Sequence, residues 1–315
     1  MDRCPPPAVR VAPYCKGAAQ ADRAELQFKL DIVAPPAGVA ALVNTFYVIE
    51  TQDARIEEVV PAYSAQLVVM LRGRLIVDRT DDAPVEAGSV AINAPQLGAA
   101  HCVLEGPALL IGASLTQIGW QALANLPADK VHDRLLPAET IFSAKQIAAL
   151  QTAAEKCAAG RLAVHDLCAQ IAELLAAPRH TLRPDHVAVV EAIIRWLGSG
   201  FDPALDALYS SVDISPRQLQ RLSRRFFGVP PAQVLKRFRA IRAAMVLANP
   251  ALPDALRDEM LASFFDQAHL IHDIRRYTGR TPTQLRGKSL SSGLLDPSGH
   301  GDAAGLLRVE EASQP

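Results

Sequence analysis

The chain has 315 residues, half of them apolar, with 32 Lys/Arg against 33 Asp/Glu. That length leaves room for two domains, each burying its own core, and no apolar run of about 18 residues or more lacks charge, which argues against a membrane-spanning helix. The start, MDRCPPPAVR, has no basic patch followed by an apolar core, so no secretory signal is visible. Cys4, Cys15, Cys102, Cys157 and Cys168 form no CxxC pair, which disfavours a disulfide framework or a zinc ribbon. The expectation is a cytoplasmic protein with reduced thiols.

Residues 1–23 carry little pattern and are expected to be poorly ordered. From 24 to 125 the chain reads as short strands: NTFYVIE, RIEEVV, AQLVVML, GRLIVD, GSVAIN and ALLIGASL are apolar runs punctuated by Pro, Gly and Asp. Many short strands at such spacing predict an antiparallel barrel or double-sheet roll. The register then changes. Residues 126–180 are rich in Ala and Leu and predict helices, with Ser143 and Gln146 as a capping box, Gly160 placed to split a helical hairpin, and Pro178 as an exit. This segment serves either as a dimer face or as a cover for the strands. PRHTLRPD, residues 178–185, reads as an interdomain linker. Everything from 181 to 287 is helical in pattern, beginning with a stripe of Val190, Ile193, Ile194 and Leu197. Residues 288–315 are Gly/Ser-rich without periodicity and read as a disordered tail. The fold class is therefore α+β, with a β-rich first part and an all-α second part.

The net charge of −1 hides an asymmetry. Residues 181–290 hold 16 Lys/Arg against 10 Asp/Glu. Within Ser215–Arg242 stand Arg217, Arg221, Arg224, Arg225, Lys236, Arg237, Arg239 and Arg242 with no acid. A solvated face normally mixes signs, because like charges repel unless a polyanion compensates them. The bias points to nucleic acid.

An internal repeat sharpens this. SPRQLQRLSRRFFGVPPAQV (215–234) aligns without gaps on DQAHLIHDIRRYTGRTPTQL (266–285), which implies one supersecondary unit used twice. In each copy Ser215 or Asp266 can cap a helix. Leu219, Leu222 and Phe226, or Leu270, Ile274 and Tyr277, form the apolar stripe. Gly228 or Gly279 suits the left-handed stop, and Pro231 or Pro282 suits the next first turn. A short helix precedes each cap, in ALDALYSS and in DALRDEMLAS. Short helix, tight turn, capped basic helix is a helix-turn-helix. The segment PAQVLKRFRAIRAAMVLANP joins the two units, with Val234, Phe238, Ile241 and Met245 as its buried face.

These two motifs, at this spacing, resemble the paired helix-turn-helix domain of the AraC/XylS transcription regulators over roughly residues 184–287. The strand-rich first part resembles the cupin-like sensor domain that many members carry. Asp213 and Ser263 stand at the turn position that the family commonly gives to glycine. The resemblance implies regulated transcription, double-stranded DNA as partner, a small-molecule effector, contact with RNA polymerase and a homodimer, with no cofactor and no enzymatic activity.

Exposed residues in the first two turns of a recognition helix reach base edges, and later basic residues reach phosphates. Arg217, Gln218, Gln220 and Arg221 are the base-reading candidates in the first unit, and Gln267, Ala268, Ile271 and His272 in the second. Arg221 suits guanine, the glutamines suit adenine, and Ala268 and Ile271 suit thymine methyls. Ser215, Arg224, Arg225, Arg275 and Arg276 are the phosphate candidates. One arginine of each pair is open to a structural ion pair, with Asp206 or Asp258 as partner.

Other chemistry finds weaker support. His269 and His272 with Asp266 lack a second ligand cluster for a metal. His101 stands alone among LGAAHCVLEG and reads as a packed or cavity-lining residue. GxSxG, HExxH and phosphate-cradling glycine loops do not occur. A fusion with an alkyl-transfer repair enzyme would need a zinc-activated multi-cysteine site, which Cys4 and Cys15 cannot build. A partner-binding adaptor with a degenerate DNA reader is the remaining alternative.

Overall fold

The computed structural model describes residues 28–79, 82–249, 252–286 and Leu295. The expectations for residues 1–23 and for most of 288–315 lie outside these, although Leu295 is buried at 1 % exposure against the helical core.

The strands are β1 Phe28–Val33, β2 Val43–Thr51, β3 Arg55–Val60, β4 Gln66–Arg79, β5 Asp82–Glu86, β6 Val90–Asn93, β7 Ala100–Leu115 and β8 Leu135–Pro137. They form one antiparallel sheet in the order β1-β2-β7-β4-β6-β8, with β3 paired to β7 and β5 paired to β4. The two long strands run through both halves of it. The first part of β4 lies between β6 and the end of β7, and its second part lies between β5 and the start of β7.

Register shifts between Met70 and Arg74 mark the corner, since an extra residue on one strand bends it. Gly73 sits there at φ +82°, and a Cβ on it would stand 2.5 Å from the Glu105 carbonyl oxygen. The runs AQLVVML and GRLIVD are therefore one strand bent at a glycine. The run ALLIGASL is likewise only the second half of β7, GSVAIN contains the whole of β6, and β1, β5 and β8 were not expected from the pattern. β8 lies inside the stretch 126–180 expected to be helical, and it pairs with β6.

Alternate residues of a strand face opposite sides, and both sides of this sheet are covered. Phe46, Val48, Leu67, Val69, Ile92, Ile111 and Leu115 pack with the helices α1 Gln117–Leu123, α3 Ala144–Ala158 and α4 Val164–Leu175. The capping box of Ser143 and Gln146 starts α3 as expected, and Gly160, at φ +68°, separates it from α4. Tyr47, Ile49, Val68, Met70, Leu104 and Leu110 face the other way and join a second core built with the helical half. This double coverage explains why β2 reads as an almost unbroken apolar run instead of an alternating one. Tyr47 lies opposite Gly112 on β7, where any Cβ would fall 1.9 Å from the ring.

A short helix, α2 Ala128–Val131, leads toward β8, and the remaining helices build the second half. They are α5 Pro184–Gly198, α6 Leu205–Ser210, α7 Pro216–Phe227, α8 Pro231–Ala248, α9 Asp254–Ala262, α10 Gln267–Thr278 and α11 Pro282–Leu285. The buried stripe of α5 is Val189, Val190, Ile193, Trp196 and Leu197. Ile194, expected in that stripe, is 41 % exposed instead: the buried residues at 189, 190, 193, 196 and 197 centre the apolar face one side of it. A third core joins α5 to Leu219, Leu222, Phe226, Phe227 and Val234. No described helix is long and apolar enough to cross a membrane.

Candidate nucleic-acid interface

Two helices carry the repeat, and their ends are built alike. The Ser215 hydroxyl accepts from the Gln218 amide (3.3 Å), and the Asp266 carboxylate accepts from the His269 amide (2.7 Å). Each satisfies one of the unpaired donors at a helix start. Gly228 and Gly279 adopt φ +86° and +69°, and their amides donate to the carbonyls of Arg224 and Arg275. That left-handed stop is available to glycine at no steric cost.

The turns ahead of these helices hold no left-handed residue. Among non-glycines only Asn125 and Asp133 of the described residues have positive φ, and Ser263 sits at φ −78°. The absence of glycine at Asp213 and Ser263 therefore strains neither turn. The Ser263 hydroxyl donates to the Met260 carbonyl (2.7 Å), closing the end of α9.

The run of eight basic residues divides by helix. On α7, Arg217, Arg221 and Arg224 are exposed and Arg225 is half-buried. On α8 Lys236, Arg237, Arg239 and Arg242 are used internally, so this half of the basic bias has partners within the chain. Arg237 donates to the Gln96 carbonyl (2.9 Å) in the β-rich half. Arg239 pairs with Asp202 (2.8 Å) and lies over the Phe264 ring. Arg242, 6 % exposed, donates to the Leu197 and Gly200 carbonyls at the end of α5 and stacks on Phe201 at 4.2 Å. Burial lowers its pKa below the ordinary guanidinium value. Lys236 pairs with the buried Asp273 of α10 (3.1 Å). Helix α8 is a cationic staple between the two units.

The other expected positions fall on the outer faces. Ser215, Gln267, Ala268, His272, Arg275 and Arg276 are exposed, and Gln218, Gln220 and Ile271 are half-buried. Gln220 donates to the Tyr209 hydroxyl (3.3 Å) across the turn. Neither Asp206 nor Asp258 forms an ion pair with the recognition arginines among the described residues. Arg225 bonds instead to the Asn125 side chain (2.6 Å), which belongs to the loop after α1. Asp206 and Asp258 are exposed on α6 and α9.

Sequence reasoning missed three features. A groove beside α7 adds Lys130, Arg183 and His186 to Arg221, Arg224 and Arg225. Burial, followed by the neighbouring arginines, holds the His186 pKa below its ordinary value, with Asp185 opposing. Phe265, in the turn before Asp266, is 90 % exposed, whereas Ile214 at the equivalent repeat position is half-buried. Extending the repeat alignment by one residue pairs these two positions and exposes the larger ring. His101, expected to be packed or to line a cavity, is exposed, because the strand alternation points Cys102 inward in its place. Asp266, His269 and His272 do not gather as ligands: the Asp266 carboxylate is turned to the cap, and no group of three metal-binding side chains occurs among the described residues.

Residues 208–288 match the family model of a helix-turn-helix domain. This segment is a helix-turn-helix domain of the AraC type. The AraC-type domain is a DNA-binding module of transcription regulators, and here it spans both capped helices and the staple between them. No curated protein matches the sequence. Among solved structures the chain is similar to apo ToxT of Vibrio cholerae strain SCE256, at 8 % identity, covering 76 % of this chain and 95 % of that one with a TM-score of 0.44. ToxT of Vibrio cholerae O395 gives 9 % identity, 83 % and 99 % coverage and a TM-score of 0.43. The AraC-like transcriptional activator CuxR gives 10 %, 76 % and 87 %, and 0.28. These are loose likenesses.

Proposed function

We propose that the chain is a sequence-specific transcription regulator in which α7 and α10 enter the major groove of one DNA duplex. The observation that carries this reading is that the two capped helices are built alike at both ends. Their N-terminal faces are open, while their C-terminal glycines are held against the β-rich half. Helix α8, 18 residues long, joins them, and its Lys236 pairs with Asp273 of α10.

In this reading Arg217, Gln218, Gln220 and Arg221 read base edges. Gln267, Ala268, Ile271 and His272 form a more apolar second reader. Ser215, Arg224, Arg225, Arg275 and Arg276 meet phosphates, Arg225 by exchanging its bond to Asn125. The chain divides functionally into a sensor at 24–125, a helical segment at 126–180 and a reader at 181–287. The sensor acts through a small-molecule effector or through the pairing of two copies, in the cytoplasm, and the reader presents the bound complex to RNA polymerase.

The test is a binding titration of the full chain on promoter fragments at two salt concentrations. Affinity is expected to fall with salt in proportion to the phosphates contacted, about 0.9 per contact on a log–log scale. Binding without salt dependence would falsify the reading.

A further inference from the structure

The sheet face turned away from α3 and α4 contains a cavity of about 80 Å³. Its walls are aliphatic side chains of β2, β4 and β7 with the Tyr47 ring, and no Lys, Arg, His, Asp or Glu lines it. Burial pushes the Cys102 thiol up to about 12 and raises the Tyr47 hydroxyl as well, so both are neutral near pH 7. A charged ligand would lose its hydration here and gain no counter-ion, which is the costliest form of burial.

Three amides, Gln66, Asn93 and Gln96, interrupt the apolar lining, and the two glutamines carry unmet polar atoms. Gln66, 4 % exposed, donates from Nε2 to the Ser64 carbonyl and to the Ser114 hydroxyl, and its Oε1 has no partner. Gln96 is fully buried, and neither atom of its amide has a partner. Buried polar groups are otherwise bonded in native proteins. Two unmet acceptors and one unmet donor on an apolar wall specify the polar contacts of a ligand.

Gln96 also belongs to the loop between β6 and β7, and that loop braces both recognition helices. Its amide donates to the Tyr63 carbonyl (2.9 Å), and its carbonyl accepts from Arg237 of α8. The next residue, Leu97, packs on Gly228, where a Cβ would stand 2.9 Å from the leucine methyl. Ala99 donates from its amide to the Arg276 carbonyl (3.2 Å) and lies beside Gly279. A shift of this loop therefore reaches the C-caps of α7 and α10 together.

We propose that the cavity takes a compact, uncharged, largely apolar molecule with a hydrogen-bonding group read by Gln96 and Gln66, and that its occupancy reaches both recognition helices through the loop 94–99. This rests on the regulator reading above and names the chemistry of its effector.

Two small isosteric probes that suit a cavity of this size test it on the full chain. Butanamide is neutral and carries both a donor and an acceptor, and butanoate has the same shape with a negative charge. By ligand-observed NMR the amide is expected to bind saturably at one site, at least ten-fold more tightly than the anion. Gln96→Leu should weaken it about five-fold, the value of one net hydrogen bond, and saturating amide should shift the DNA dissociation constant of the wild type by three-fold or more. Equal binding of the two probes, or binding of neither, overturns the proposal without any variant. Undiminished binding by Gln96→Leu overturns the role of that residue, and binding with unchanged DNA affinity overturns the relay. DNA binding measured without either probe reads the regulator function separately, so failure there is distinguishable from failure of the cavity.

Discussion

Glu58 on β3 and Arg280, just beyond α10, form an ion pair across 222 positions of sequence, with side chains only 2 % and 17 % exposed. It joins the β-rich half to the second helix-turn-helix unit. Near it the Ala62 amide donates to the Tyr277 carbonyl (2.8 Å). A buried pair contributes little net stability over an apolar replacement, but breaking it leaves an uncompensated charge. Arg280→Ala is expected to cost about 3–5 kcal/mol, whereas the double change Glu58→Leu with Arg280→Met should lie close to the wild type. Urea unfolding of the two single variants and the double variant measures the coupling. Additive losses would show that the two side chains do not act as a pair.

The two left-handed glycines offer a graded comparison. Gly160 and Gly279 have nearly the same φ, +68° and +69°, but a Cβ at 160 meets nothing within 4 Å while one at 279 would fall 2.2 Å from Val59 Cγ1. Gly160→Ala should cost about 1 kcal/mol, the backbone penalty alone. Gly279→Ala should cost more, and Val59→Ala should recover part of the difference only in that background. Melting temperatures of the four proteins decide it.

Arg221 and Arg224 lie one turn apart on α7, and different effects are expected of them. Arg221→Ala should relax preference at one base pair by about 1–3 kcal/mol. Arg224→Ala should weaken all sequences alike and reduce the salt slope by about 1. Anisotropy titrations against a set of single-base variants separate the two patterns. A uniform loss from both would place Arg221 on the backbone.

Three buried thiols predict an alkaline limit to stability. Burial raises Cys102 to about 12 and Cys168 to about 11, and raises Cys157 too, from an ordinary value of 9.0. The folded state therefore holds protons that the unfolded chain releases above pH 9. Stability should be level below that value and fall as pH rises toward about 11–12, with a slope of at most about 1.4 kcal/mol per pH unit for each group. Urea midpoints between pH 7.5 and 10.5 test this. A midpoint that rises with pH in this range would contradict the burial of these groups.

Much of the reader was legible in the sequence because its signals are local. The caps at Ser215 and Asp266, the stops at Gly228 and Gly279 and the stripe of Leu219, Leu222 and Phe226 each depend on residues within one or two turns. The strands were less legible. Bulges and Gly73 divide β4 into two apparent runs, and β1 and β8 are recognisable only by their pairing partners. The stripe of α5 was placed one residue off at Ile194, since a helical pattern tolerates either neighbour until a packing partner selects one.

What the sequence determined by itself was the number and kind of helical units, their ends and the sign of the charge on α7, because helix capping, periodicity and net charge act over a few residues. Only the tertiary structure decided where the α8 arginines go, that Gln96 is buried without partners, and that one loop braces both recognition helices. Those facts depend on contacts between segments far apart in the chain, where a cation spent on an internal carbonyl and a cation open to phosphate are spelled with the same residue.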